Sequence, residues 1–238
     1  MRRIQLSALA LLALFVSTAG FADEEPGPWS GSLGIGYLAI SGNTESNSVN
    51  VDGEVKYDVN KWHHRLLGRV VGKSEANTTT AEAYKAAYDL KYDLSERNYA
   101  FGLLDWNKDR FSAYDQQTFE VAGFGRRFIM TEKHKLNGEI GVGAAQNELT
   151  DGTSQDEFTT RLAGDYTWKI SENAEFVQKL ALNISSSNTF TESVTELRAA
   201  VVGNLGLALS YIIKNNSDVP AGTEKTDTWT AVNLDYKF

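Results

Sequence analysis

Most of twelve strand-length stretches in this sequence alternate between apolar and polar residues with a period of two, and the last of them ends on the final residue of the chain. Thr226 to Phe238 reads TDTWTAVNLDYKF: Thr228, Thr230, Val232, Leu234, Tyr236 and Phe238 fall on one side, Asn233, Asp235 and Lys237 on the other. Successive side chains of a strand point to opposite faces, so this spacing defines a strand with one apolar and one wet face. A terminal Phe contributes little to a soluble domain, whose ends fray into water.

The same pattern recurs along the chain. The first strand is expected over Trp29 to Ile40, with Trp29, Leu33, Ile35 and Tyr37 on one side, followed by the turn Ser41-Gly42-Asn43-Thr44. Ser48 to Val59 alternates most cleanly, setting Val49, Val51, Val55 and Tyr57 against Asn50, Asp52, Glu54, Lys56 and Asp58. A tight turn at Asn60-Lys61 leads into Trp62 to Lys73, and its register puts Asp52 opposite Arg69 and Lys56 opposite Arg65. Further strands are expected over 81–94, 99–107, 117–128, 136–146, 158–170, 175–184, 193–201 and 205–214. In 99–107 and 117–128 both parities carry apolar residues, so the facing of these two is ambiguous. Connections after even-numbered strands are mostly short, and most of those after odd-numbered strands are longer and polar, such as 74–80, 108–116, 147–157 and 215–225. An even strand count with short turns at one end and longer loops at the other is the outer-membrane pattern, the short side being periplasmic.

Composition narrows the choice. Met1-Arg2-Arg3, the apolar run Ile4 to Val16 and the small residues before Asp23 form a secretory signal peptide over 1–22, too short to span a membrane. A short segment, 23–28, then precedes the barrel at 29–238. Removing the leader takes away Arg2 and Arg3 and moves the formal net charge from −8 to −10. Such an acidic chain with scattered basic residues excludes nucleic acid as a partner. Mean hydropathy is −0.34, which fits a soluble exported protein or a barrel whose apolarity is hidden by alternation. There is no cysteine, and the three prolines, at 26, 28 and 220, lie outside every expected strand. A ladder that needs each N–H donor excludes proline in this way.

Aromatic residues form two bands. Tyr57, Trp62, Tyr92, Tyr99, Phe128, Trp168, Phe176, Tyr236 and Phe238 flank the short turns, and Tyr37, Tyr84, Phe119, Phe158 and Tyr211 lie near the opposite strand ends. Rings at two levels suit two membrane–water interfaces. The fold class read from these features is all-β: an antiparallel up-and-down transmembrane β-barrel of twelve strands, with short periplasmic turns and longer extracellular loops. The alternative is a soluble periplasmic β-barrel or sandwich. Leu234, Tyr236 and Phe238 resemble the C-terminal signal read by the outer-membrane assembly machinery.

Two further blocks carry a resemblance. Gly36-Tyr37-Leu38-Ala39 with Ser41-Gly42-Asn43-Thr44 comes first, and Tyr99-Ala100-Phe101-Gly102, Trp106, Asp109-Arg110-Phe111, Tyr114 and Ala122 to Phe128 follow in order. Together they resemble the salt-induced outer membrane protein family. That resemblance implies a small outer-membrane barrel of Gram-negative bacteria, exported through the general secretory route, with outer-membrane lipid and lipopolysaccharide as its surroundings. It carries no catalytic residue to this chain.

Chemistry-bearing residues are few. His63, His64 and His134 all fall at short-turn strand ends, and none has the nucleophile–base grouping that a lipid-modifying enzyme needs. Neither a cofactor nor a metal site is indicated: cysteine is absent, the histidines are not spaced as ligands, and Asp151 and Asp156 read as a solvated acidic loop. The wet face is the remaining candidate. If the apolar parity faces lipid, the lumen receives Asp52, Glu54, Lys56, Arg65, Arg69, Lys85, Asp89, Arg161 and Asp165, joined by Lys91, Glu139, Lys169, Lys179, Asp235 and Lys237. Mixed signs fit either a paired ladder that fills the barrel or a polar conduit for small solutes. A narrow pore or passive envelope component is therefore expected, with a lipid-modifying enzyme or a surface-binding module as the alternatives.

Overall fold

The computed structural model describes residues 27–41, 46–75, 78–110 and 112–238. The leader, most of the first turn and Phe111 lie outside them. Every element is a strand: β1 (Trp29–Ser41), β2 (Ser46–Val59), β3 (Trp62–Glu75), β4 (Thr78–Asp93), β5 (Asn98–Asp109), β6 (Tyr114–Met130), β7 (His134–Leu149), β8 (Ser154–Lys169), β9 (Ala174–Ile184), β10 (Thr189–Val202), β11 (Leu205–Asn216) and β12 (Thr226–Lys237). Each pairs antiparallel with its sequence neighbours, and β1 pairs with β12, which closes the barrel. The shortest strand has 11 residues and the longest 17, enough for each to cross a hydrocarbon layer at the usual tilt.

Alternation sorts the side chains into two shells. Leu33, Ile35, Val49, Leu66, Val70, Ile140, Leu162, Leu180, Leu207, Leu209, Val232 and Leu234 are all exposed on the outside. An apolar belt of this extent is intolerable in water and natural in lipid. At the short-turn end the belt is rimmed by Trp29 tilted against Tyr57, by Trp62 near Tyr92, and by His134 between Tyr166 and Trp168. Two rings assigned to these bands by sequence belong elsewhere. Tyr99 is 1 % exposed and Phe119 2 %, and both point into the lumen. β5 and β6 are the two strands whose parity is ambiguous, because their inner faces are as apolar as their outer ones.

The strands also run further than the alternation does. β6 begins at Tyr114 rather than Gln117, β7 ends at Leu149 rather than Gln146, and β8 begins at Ser154 rather than Phe158. The loops between these strands contract accordingly, leaving 217–225 as the longest connection. The reason is that backbone pairing continues after a strand has left the apolar layer. Gln116 still pairs with Glu148, and Asn147 with Gln155, where side-chain polarity no longer marks a strand.

The Asn60-Lys61 turn fixes the β2–β3 register as the sequence predicts: Asp52 pairs with Arg69 and Lys56 with Arg65. Asn60 takes φ 53°, a left-handed conformation that Asn tolerates better than most residues and that two-residue hairpin turns require.

The seam between β1 and β12 is where the final residue acts. Phe238 N–H donates to Gly31 O at 3.0 Å, and Gly31 N–H donates to Phe238 O at 2.9 Å. Its ring lies on Gly31, where a Cβ would meet Phe238 Cζ at 2.5 Å. Deleting Phe238 removes both hydrogen bonds, worth about 1–3 kcal/mol together, along with the ring that covers the seam. The deletion variant is expected to give a smaller fraction of heat-modifiable, folded barrel on gels. Wild-type assembly of that variant would count against this role.

Candidate functional site: the lumen

The inner face collects the charges. Asp52, Glu54 and Lys56 reach it from β2, Arg65 and Arg69 from β3, Lys85 and Asp89 from β4, and Arg161 and Asp165 from β8. Arg65 reaches Glu54 at 3.3 Å and Asp89 at 3.4 Å, and Lys56 reaches Glu54 at 2.7 Å. Lys56 and Arg65, like charges placed opposite each other by the register, thus share one diagonal carboxylate. Asp52 and Arg69 also sit opposite each other, but the Asp52 carboxylate is taken up by Asn233 Nδ2 at 2.7 Å and Asn50 Nδ2 at 3.3 Å. Asp165 accepts from Asn137 at 2.7 Å, and Arg161 donates to Asn183 at 3.1 Å.

Other contacts cross the barrel. Lys85 Nζ lies 2.9 Å from Glu192 on β10 and 3.3 Å from Asp105 on β5. β4 and β10 are half a circuit apart, so this bridge spans the lumen. Lys91 on β4 reaches Glu139 on β7 at 2.7 Å, and Tyr99 Oη donates to the same carboxylate at 2.9 Å. Gln117 on β6 donates to Asn216 on β11 at 3.2 Å.

Two apolar clusters fill the space between these polar bridges. Tyr99, Phe101, Phe119, Val121, Ala145 and Phe190 form one, with the Phe119 and Phe190 rings stacked at 5.6 Å from β6 and β10. Val71, Ala83, Ile212, Trp229 and Ala231 form the other. Large rings fit because glycines face them: Phe101 lies over Gly123 and Gly141, and the Tyr99 ring lies where Gly125 would carry its Cβ. Sequence reasoning missed this plug, because it counts an apolar residue as lipid-facing. The available signal was the pairing of aromatic β5 with glycine-rich β6 and β7 on one parity.

Water access is graded along the axis. Lys56, near the short turns, has 46 % of its side chain exposed, whereas Lys85, deeper in, has 13 %. Near the opposite mouth, Asn107, Tyr114, Gln117, Phe190, Lys214 and Asn216 enclose a cavity of about 20 Å³, room for about one water. Several buried atoms find no protein partner: Asn50 Oδ1, Arg69 Nε, Asp89 Oδ1, Asn107 Oδ1, Arg161 Nε and Asn233 Oδ1. Groups of this kind are usually satisfied by ordered water.

The three histidines lie at the short-turn end. His63 bridges Asp58 at 2.7 Å and Asp93 at 3.0 Å, while His64 and His134 lie on the outer rim against Tyr88 and Tyr166. Asp151 accepts the Thr153 N–H at 2.8 Å, which holds its carboxyl below the usual range. Among the described residues no three His, Cys, Asp or Glu side chains gather as metal ligands.

A closed twelve-stranded antiparallel barrel, apolar outside and charged within, is an outer-membrane barrel of the porin-like architecture. Residues 33–238 match the family described as "Protein of unknown function, DUF481", and the chain belongs to that family. It is 30% identical over 212 residues to "Uncharacterized protein YdiY" of Escherichia coli (strain K12), a match covering 89% of this chain and 84% of the relative. Among solved structures it is similar to the NanC porin, with a TM-score of 0.59 and 11% identity over 87% of this chain and 100% of that one. The KdgM porin aligns with a TM-score of 0.49 and 10% identity over 87% of this chain and 99% of that one. At such identities the likeness is one of fold.

Breaking the transluminal bridge provides a test of the filled interior. Lys85→Met leaves Asp105 and Glu192 buried without their cation, at a cost of about 3–5 kcal/mol. The urea midpoint of refolded protein should fall accordingly, and adding Glu192→Gln should recover part of the loss.

Proposed function

We propose that this chain is an integral outer-membrane envelope barrel, delivered through the general secretory route, whose lumen is closed to solutes in its resting state. The observation that carries this reading is the set of contacts linking opposite walls: Lys85 with Glu192, Gln117 with Asn216, and Phe119 with Phe190. Side chains that touch across a barrel leave no continuous path between them. The likeness in fold to the NanC porin supports the membrane placement. Under this reading the luminal charges are structural: Glu54, Lys56, Arg65 and Asp89 neutralise one another, Lys85 is neutralised by Glu192 and Asp105, and Asp52, Arg161 and Asp165 are held by asparagines, as buried charges require partners. Leu234, Tyr236 and Phe238 present the C-terminal strand to the assembly machinery. Expression that rises with salt, implied by the family resemblance, belongs to the same proposal.

A narrow polar conduit is the second reading. The orphaned atoms Asn50 Oδ1, Arg69 Nε, Arg161 Nε and Asn233 Oδ1 favour it, since waters that satisfy them would form a partial thread along the wall. Refolded protein in planar bilayers separates the two. The envelope reading expects silence or rare small events, and steady porin-sized conductance would overturn it. Lipid profiles of overexpressing cells should match those of the parent strain, and a new lipid species would revive the enzyme alternative. Protein levels should rise when sodium chloride is added to the growth medium, and a flat response would remove the salt-induced part of the proposal.

A further inference from the structure

The outer wall carries one feature that an apolar belt does not need. Across β6 to β9, Phe124, Phe128, Ile140, Leu162 and Leu180 border a groove of about 490 Å³ on the outer face. Its floor exists because Gly138 and Gly164 face each other directly across the β7–β8 pairing, both on the outward parity. Two opposed residues without side chains leave bare backbone between the pairs Ile140–Leu162 and Leu136–Tyr166, with Leu180 beside Gly164 and Arg126 beside Gly138 on the flanking strands. Phe128 overhangs one side, and a Cβ at Gly138 would meet its Cε2 at 2.9 Å.

One outward-facing charge borders this groove. Arg126 is exposed, pairs across the ladder with Asn98, the first residue of β5, and therefore sits toward the short-turn end. Its Nη1 donates to Asn98 Oδ1 at 3.2 Å, leaving other guanidinium N–H groups for a further acceptor. Glu139 also borders the groove, but its side chain turns inward to Lys91 and Tyr99. The outer face thus presents a guanidinium at the headgroup level and an apolar trough running away from it into the hydrocarbon layer.

We propose that this trough is a phospholipid site on the periplasm-facing leaflet, with Arg126 holding the headgroup phosphate and one acyl chain lying over Gly138 and Gly164. The inference rests on the membrane reading above and goes beyond it by naming a lipid class and a place. Guanidinium and phosphate match in charge and in geometry, two N–H groups facing two oxygens. A second copy of the barrel fits less well. Among the described strand residues, the outward carboxylates Glu82, Glu120, Glu148 and Asp156 all lie toward the opposite end. A second copy's strands would bring no carboxylate to the level of Arg126; the nearest acidic residues at that end, Glu96, Glu132 and Glu172, lie in the short turns beyond it.

Native mass spectrometry of barrel purified from membranes in a mild detergent tests this. Wild type should carry one phospholipid. Arg126→Gln removes a charge-assisted contact and should lower occupancy about tenfold. Gly164→Leu fills the trough and should lower occupancy similarly, while Arg126→Lys should retain much of it. Heat-modifiable migration of each variant establishes that the barrel is intact, so that loss of lipid is not loss of fold. Equal occupancy in all variants would overturn the proposal, as would a wild-type barrel without lipid or one carrying lipopolysaccharide instead. A dimer that Gly164→Leu dissolves would overturn it in favour of a protein interface. Recovery of the chain as a soluble periplasmic protein would instead fail the membrane reading itself.

Discussion

Hydrocarbon offers no partner to a backbone N–H or C=O, and that constraint shapes this molecule. A sheet in lipid has no tolerable edge, so β1 must find β12. Twelve antiparallel pairings then satisfy the whole circuit, and the chain must return to its starting side, which requires an even number of strands. Pro28 and Pro220 fall outside the strands for the same reason. Phe238 completes the last rung of the seam by exchanging hydrogen bonds with Gly31.

Closure creates a second problem inside. Twelve strands enclose more space than short side chains can fill, and an interior must either admit water or be packed. Here long side chains meet in the middle. Lysine is suited to such reach, since its flexible stem lets Lys85 and Lys91 find carboxylates on distant strands. Aromatic rings do the rest, and Phe101 and Tyr99 find room where the facing strands carry glycine. A buried ion pair adds little net stability over apolar packing, but removing one partner leaves a charge that nothing else can neutralise. The interior is thus mutually dependent, each bridge being tolerable because its partner is present.

Much of this was legible in the sequence. Alternation, with the turn residues between, located the strands, since a period of two has one structural meaning. The Asn60-Lys61 turn gave the β2–β3 register because a two-residue hairpin leaves no freedom. Alternation failed where both sides of the wall are apolar: Tyr99 and Phe119 looked like interfacial rings and are luminal. Strand ends were also hidden, because polar pairs such as Gln116 with Glu148 obey the ladder without obeying the pattern. The partners across the lumen were illegible in principle. Nothing local to Lys85 points to Glu192, and the contact follows from closure, which places β4 opposite β10.

Glycine carries the information that hydrophobicity does not. A Phe on a strand reads the same whether it faces lipid or lumen, but a ring that lies against the wall needs a partner strand with nothing in its place. Gly123, Gly125 and Gly141 are the imprint of Phe101 and Tyr99, and Gly31 is the imprint of Phe238. Gly138 and Gly164 form the same imprint on the outer wall, yet Phe128 only overhangs the first of them, and the nearest neighbour of a Cβ on the second is backbone oxygen at 3.4 Å. The outward glycines Gly53, Gly68 and Gly102 are likewise uncovered by any ring. What sets Gly138 and Gly164 apart is the groove around them, walled by Phe124, Ile140, Leu162 and Leu180 with Arg126 beside it, a shape that the surrounding membrane can fill.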